Sequence, residues 1–296
     1  MIYDRQRTAL HAARPGAAIL WAAALTLAVI VCPHPAALAV LCAGLPLLAW
    51  AAKVPRPVLL AAAFAIPFAL IWVITNGLLV REGLTVVLRL GGVPPFGEID
   101  VTAEALAQGG VLALRGMAAL QIGLLASACV DPDRLLLGVR RIAPRAGLTG
   151  AVAMRLAPAL ADDGRRYADG LRCRADGGDL GGRERLLVMS ATVGRAIDRA
   201  DQVAAILELR GLRRSTPVAA PGARRAPWSR HDFALVTSAL AVAALAVAGR
   251  LGGLVVFDPY PTFDAAPALP AVLWAAAILL VAGAPLLARR GTEPPR

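Results

Sequence analysis

The sequence predicts an all-α integral membrane protein with about six transmembrane helices and one long polar insert between the fourth and the fifth. The 296-residue chain is 58% hydrophobic and has a mean hydropathy of +0.64. Soluble domains are closer to half apolar and lack uncharged runs of about twenty residues. Residues 131–232, in contrast, form an arginine-rich insert that interrupts the apolar pattern.

Six apolar segments have the length, or nearly the length, of a membrane helix, which needs about 20 apolar residues to cross the hydrocarbon core. They cover residues 17–32, 36–52, 57–80, 103–130, 233–249 and 266–288. The third segment carries no charge, whereas the fourth contains Glu104 and Arg115. No small-x-small cleavage site follows the first segment, so we interpret it as a membrane helix and not as a removed signal peptide.

The distribution of charge orients these segments. Arginines precede the first segment and follow the last, and Lys53 and Arg56 lie between the second and the third. The loops on the opposite side hold fewer basic residues or balance them with acids. Because basic residues favour the cytoplasmic side, both termini and the insert are predicted to be cytoplasmic.

The same pattern predicts three regions along the chain. Residues 1–130 would contain membrane helices one to four, residues 131–232 a cytoplasmic helical domain, and residues 233–296 membrane helices five and six. The insert holds 19 arginines against 12 acids, an excess that suits a polar protein partner or anionic lipid headgroups. Nucleic acid is a weaker alternative and is not predicted as a partner, because no aromatic interleaving or known binding motif accompanies the charge.

Start and stop signals predict three helices in the insert. Asp131 and Pro132 suit the N-cap and first position of a helix that stops before Pro144. Two further helices are predicted over residues 148–175, broken or kinked near Pro158, and over residues 184–210, with Gly211 as C-cap. The third has an apolar face rich in small residues: Leu187, Ser190, Ala191, Gly194, Ile197, Ala200, Ala204 and Leu207.

Two arginines, Arg174 and Arg210, occupy equivalent positions at the C-terminal ends of the second and third of these helices. One interpretation is that each stabilises the last carbonyls and the negative end of its helix, by roughly 0.3–1 kcal/mol. The other is that an exposed guanidinium fork at a helix end enters the cleft of a partner protein and pairs there with carboxylates or carbonyls. The occurrence of two such ends favours the second interpretation.

Other features bear on alternative functions. Four scattered cysteines (Cys32, Cys42, Cys129 and Cys173) and three separate histidines lack the spacing of metal ligands. A membrane-embedded enzyme would rest on the pair Asp162 and Asp163, which lacks acidic or histidine partners. A permease with its own translocation path would rest on Arg115, since an intramembrane arginine is costly and often functional.

The insert resembles the transmembrane T component, of the EcfT and CbiQ kind, of energy-coupling factor (ECF) ABC transporters. In that family two long cytoplasmic coupling helices each end in an Ala-Arg-Ala or Ala-Arg-Gly signature. Cys173-Arg174-Ala175 and Leu209-Arg210-Gly211 stand at those places, 36 residues apart, with Cys and Leu replacing the first Ala. Val130 to Leu135 and Arg155 to Pro158 also resemble family segments, and the resemblance covers roughly residues 15–215.

The resemblance implies a non-catalytic scaffold in a prokaryotic cell membrane. Two ABC ATPase subunits would dock at the residues of the two signatures, Arg174, Arg210, Ala175, Gly211, Cys173 and Leu209. A substrate-binding membrane S component for a vitamin or metal ion would bind the coupling helices at Leu187, Ala191, Gly194, Ile197 and Leu207.

No cofactor or metal is expected in this chain itself, and ATP and Mg²⁺ would be bound by the partner ATPases. A phosphate-binding P-loop needs a lysine after its glycines, and Lys53, the only lysine, lies in no such motif. No catalytic residue is therefore assigned. The residues do not specify the transported substrate.

Overall fold

The computed structural model describes residues 6, 8–80, 83–93, 97–174, 181–209, 228–260 and 264–287. The chain divides into two compact units, one formed by Met1–Asp131 with Pro227–Arg296 and the other by Pro132–Ala226. The helices are α1 (Ala9–Ala12), α2 (Pro15–Val31), α3 (Pro35–Ala51), α4 (Pro55–Leu79), α5 (Ala103–Cys129), α6 (Pro132–Ile142), α7 (Pro144–Arg174), α8 (Gly182–Leu209), α9 (Arg230–Leu251) and α10 (Ala268–Leu287). The strands are β1 (Val86–Val93), β2 (Gly97–Thr102), β3 (Phe257–Asp258) and β4 (Asp264–Ala265).

The first unit confirms the predicted class of all-α integral membrane protein. All six apolar segments form helices, and α4, α5, α9 and α10 are long and apolar enough to cross a membrane. Helices α2 and α3 have 17 residues each, so each is about 25 Å long. That length is slightly shorter than the roughly 30 Å of a hydrocarbon core.

Local sequence explains where the helices begin. Proline is the first residue of five helices, α2, α3, α4, α6 and α7, a position where its missing N–H costs nothing and its fixed φ suits the helix. Thr102 caps α5 by accepting a hydrogen bond from the Ala105 N–H. Ser229 and Asp232 form a capping box at the start of α9, which satisfies two N–H groups that the helix leaves unpaired.

The core of the first unit is built from small residues and from indole and hydroxyl donors that reach backbone carbonyls. Trp21 on α2 donates from Nε1 to the Ala282 carbonyl on α10 at 3.2 Å. Trp274 on α10 donates to the Leu245 carbonyl on α9 at 2.8 Å, and Ser238 on α9 donates to the Val281 carbonyl at 2.8 Å. These bonds satisfy polar groups that would be costly to leave unpaired in an apolar bundle.

Two short antiparallel hairpins were not predicted from the sequence. Strand β1 pairs with β2 between α4 and α5, and β3 pairs with β4 between α9 and α10. The buried Glu104 side chain, in the first turn of α5, accepts a hydrogen bond from the Thr85 N–H at 3.1 Å. That bond attaches the chain before β1 to the start of α5.

The second unit contains α6, α7 and α8. Helix α6 ends at Ile142, as the sequence predicts from Pro144, but α7 starts at Pro144 and not at residue 148. Of the predicted break or kink near Pro158, the break is wrong, because α7 continues through this residue as one helix. Pro158 cannot donate to the Met154 carbonyl, yet both residues are exposed, so water can satisfy that carbonyl.

Candidate docking site

Helices α7 and α8, here called the coupling pair, pack against each other near their middles. Arg199 on α8 donates from Nη1 to Asp163 Oδ2 on α7 at 3.3 Å. One residue further along α7, Gly164 lies against α8, where an added Cβ would meet Thr192 Oγ1 at 3.5 Å. The small residue allows the two backbones to approach each other beside the ion pair.

The ends of the coupling pair carry the predicted docking residues. Arg174 is the last residue of α7, and Cys173 before it is exposed. Leu209 is the last residue of α8, with 89% of its surface exposed. The remaining residues assigned to ATPase docking, Ala175, Arg210 and Gly211, lie outside the described residues.

Both arginine positions stand at the same sequence distance from the ion pair. Arg174 follows Asp163 by eleven residues, and Arg210 follows Arg199 by eleven residues. Eleven helical residues span about 16 Å. The ion pair therefore joins the two helices at matching positions in their sequences, and each helix continues from it towards its own signature.

An apolar stripe covers an exposed face of α8. Leu186, Met189, Val193 and Ile197 recur at spacings of three and four residues, which places them on one face of the helix. Each has between 58% and 67% of its surface exposed. Exposed apolar faces of this kind commonly mark an interaction site.

The stripe differs in part from the face that the sequence predicts. Of the predicted S-component residues, Leu187, Ala191, Gly194 and Ile197 are exposed on α8, and Leu207 belongs to the same helix. Only Ile197 belongs to both sets. Leu186, Met189 and Val193 were missed, although their spacing already indicates a common helical face.

The carboxylates that an enzyme would need are already engaged in ion pairs. Asp162 pairs with Arg165 on the same helix at 3.2 Å, and Asp163 pairs with Arg199 at 3.3 Å. Within the described part of the chain, no group of three or more His, Cys, Asp or Glu side chains is placed to hold a metal ion. This arrangement does not favour the membrane-enzyme alternative.

Comparison of the sequence with models of protein families finds a matching family. The family model of CbiQ, described as a cobalt transport protein, matches residues 6–217. The chain belongs to the CbiQ family. The matched region includes α2 to α8 and both arginine signatures. No curated protein matches the chain in a sequence comparison.

Membership of the CbiQ family makes the chain a membrane component of cobalt or ECF-type transport. It fits a subunit that takes part in transport without being an enzyme. The match ends at residue 217, so α9 and α10 lie beyond the region that the family model covers.

The intramembrane arginine of this CbiQ-family chain has a defined acceptor. Arg115, near the middle of α5, donates to the Cys32 carbonyl from Nη2 at 3.0 Å and from Nε at 3.3 Å. Cys32 is the C-cap of α2, where a helix has unpaired carbonyls and a partial negative charge. The guanidinium therefore braces α5 against the end of α2, and this contact is not evidence for a translocation path.

Proposed function

We propose that the chain is the energy-coupling membrane scaffold of an ECF-type ABC importer. It would link two ABC ATPase subunits to a substrate-binding membrane S component, and those ATPases would bind ATP and Mg²⁺. The transported substrate would be a vitamin or a metal ion, and the description of the CbiQ family favours cobalt.

The observation that carries this proposal is the arrangement of the two helices of the coupling pair. Two long helices are joined by the Asp163–Arg199 ion pair, and one ends at Arg174 while the other leads to Arg210. An arginine fork can bind a carboxylate or several carbonyls at once, which suits a helix end that docks in a partner cleft. Because a helix is stiff over about 16 Å, movement of a docked end would be transmitted to the ion pair.

The stripe of α8 supports the second half of the proposal. An S component is a membrane protein, so an apolar surface is the chemistry that would bind it. Leu186, Met189, Val193 and Ile197 form such a surface, and Leu187 is exposed beside it. Membrane lipid would contact the apolar helices of the first unit. On α4, for example, Phe64, Phe68 and Trp72 are exposed.

The orientation follows from the positive-inside rule. We place both termini and the coupling pair in the cytoplasm of a prokaryotic cell, because the basic residues cluster on that side of the apolar helices. ATP is found on that side, so ATPase subunits would reach Arg174 and Arg210 there.

Co-purification tests the docking proposal. The chain would be co-expressed with ABC ATPase and S-component subunits from the same genome, and Arg174→Glu combined with Arg210→Glu should reduce ATPase recovery at least tenfold. A matched control is Arg165→Glu with Arg195→Glu, which makes the same change in charge at exposed positions away from the helix ends. The control should keep both ATPases.

Two results would contradict the proposal. Full ATPase recovery with the Arg174→Glu and Arg210→Glu double variant would show that the arginines do not dock the ATPases. Uptake of a substrate by the purified chain alone, reconstituted in liposomes without any other subunit, would favour the permease alternative.

A further inference from the structure

Helix α2 is bonded at both ends to the helices that flank the insert. At its start, the Arg14 N–H donates to Asp232 Oδ1 on α9 at 2.7 Å, and Arg14 Nε lies 3.7 Å from Asp232 Oδ2. At its end, the Cys32 carbonyl accepts two hydrogen bonds from Arg115 on α5. The body of α2 packs against both α5 and α9.

The first of these connections centres on a buried carboxylate, that of Asp232. Asp232 is only 1% exposed. Its second oxygen, Oδ2, accepts a hydrogen bond from the Ser229 N–H at 2.9 Å in the capping box of α9. The Arg14 guanidinium also lies over the Trp228 ring, 5.4 Å from its centre, a distance at which a cation is attracted to an indole. One carboxylate thus fixes the start of α9 to the start of α2.

The second connection joins the middle of α5 to the end of α2. Arg115 is about halfway along α5, where an unpaired guanidinium would be costly. The terminal carbonyls of α2 offer a partial negative charge, so the pairing satisfies both groups. The result is a charge-assisted link between α5 and the end of α2.

The two helices that α2 contacts in this way, α5 and α9, are the ones that precede and follow the second unit in the chain. Helix α5 ends at Cys129, three residues before α6 begins, and α9 begins at Arg230, after the second unit has ended at Ala226. Helix α2 therefore bridges the helix through which the chain leaves the membrane unit and the helix through which it returns. Buried side chains of Trp21, Leu25 and Ala28 hold α2 in the bundle.

We infer that α2 is a strut of fixed length that keeps α5 and α9 at a set separation while the coupling pair moves. Arg115 and Asp232 are then positioning residues for energy coupling. This inference rests on the proposed function, because it assumes that ATPases move the insert. Without the strut, α5 and α9 would shift independently, and ATP would be hydrolysed with little uptake.

The test measures a distance and a coupling ratio. Nitroxide labels at Ser127→Cys on α5 and Thr237→Cys on α9, both exposed sites, would be attached in a Cys173→Ser background. Pulsed electron paramagnetic resonance would report the α5–α9 distance distribution in the isolated chain and in the complex. Uptake per ATP hydrolysed would be measured on the same complexes in liposomes.

Arg115→Met and Asp232→Ala should each broaden the distance distribution at least twofold. Each should also lower uptake per ATP about tenfold while ATPase subunits still co-purify. Ser229→Ala is the matched control, since it removes the hydroxyl cap of α9 but leaves the bond from Arg14 to Asp232. It should leave both readouts unchanged.

Arg115→Lys separates a specific link from general loss of folding, because lysine keeps a charged donor at the same position. It should restore most of the narrow distribution and of the coupling ratio. An unchanged distance distribution and coupling ratio in Arg115→Met would overturn the inference even where the scaffold function holds. Failure of the wild-type chain to bind ATPases would defeat the proposed function instead, and the distance measurement on the isolated chain would still decide whether α2 spaces α5 and α9.

Discussion

Arg199 on α8 donates a 3.3 Å hydrogen bond to Asp163 on α7, and the two residues lie 36 positions apart. Arg174 and Arg210 lie 36 positions apart as well. The contact therefore joins the helices at corresponding points, eleven residues before each arginine. This relationship is the basis for regarding the coupling pair as one mechanical part.

The ion pair should contribute modestly to stability. Its side chains are 21% exposed on Asp163 and 41% exposed on Arg199, so water screens the interaction and its free energy should be about 0.5–1 kcal/mol. A double-mutant cycle with Asp163→Ala and Arg199→Ala would measure it through the free energy of unfolding in detergent. The charge exchange Asp163→Arg with Arg199→Asp should recover much of the loss.

A second cycle provides the control for that measurement. Asp162 and Arg165 form an ion pair within α7 whose side chains are 62% and 79% exposed. We expect its coupling energy to lie near zero, since exposed pairs of this type contribute little. Equal coupling energies for the two pairs would show that the contact between helices has no special role.

Gly249 should tolerate no side chain. An added Cβ on this residue of α9 would lie 2.6 Å from Cδ1 of the Trp274 indole, so Gly249→Ala must displace the ring and break its bond to the Leu245 carbonyl. We expect a loss of about 1–3 kcal/mol in the free energy of unfolding. Gly123→Ala on α5, where nothing lies within 4 Å of the added atom, should be neutral or slightly stabilising.

The stripe of α8 should be specific for the S component. A charge placed in it by Val193→Glu would be buried on binding, and the cost should reduce S-component recovery at least tenfold while ATPase recovery stays the same. Gln202→Glu adds the same charge at an exposed position on the other side of α8 and should change neither. If both variants lose the S component equally, the stripe is not its binding surface.

Cys173 should be the reactive thiol among the four cysteines. It is exposed in the described structure, whereas Cys32, Cys42 and Cys129 are buried. A membrane-impermeant maleimide should label one thiol in inside-out vesicles and none in intact cells, because the coupling pair is placed in the cytoplasm. Labelling in intact cells would reverse the proposed orientation, and Cys173→Ser would identify the labelled site.

Apolar length and proline signals were sufficient for most of the fold. The six apolar segments all became helices, and α6 begins at Pro132 and ends before Pro144, as predicted. Local signals work here because a membrane helix satisfies its own backbone and needs no distant partner. The strands of β1 and β2 escaped prediction, although the β-branched Val86 and Val87 and the nearby glycines are typical of a hairpin.

Interactions over long sequence distances were not predictable. The acceptor of Arg115 is a backbone carbonyl 83 residues away, and a carbonyl has no signature in the sequence. The partner of Arg199 was also not predictable, because α7 carries several acids and the sequence alone does not indicate which of them contacts α8. The docking residues themselves remain predictions, since their evidence must come from a complex.

Cross-linking from the helix end tests the central claim most directly. A photoreactive benzophenone maleimide attached to Cys173, next to Arg174, should form a covalent adduct with an ATPase subunit in the purified complex. A second chain with Leu209→Cys in a Cys173→Ser background should give the same adduct from the end of α8. Efficient labelling of both thiols without an ATPase adduct, in a complex that retains its ATPases, would contradict docking at the helix ends.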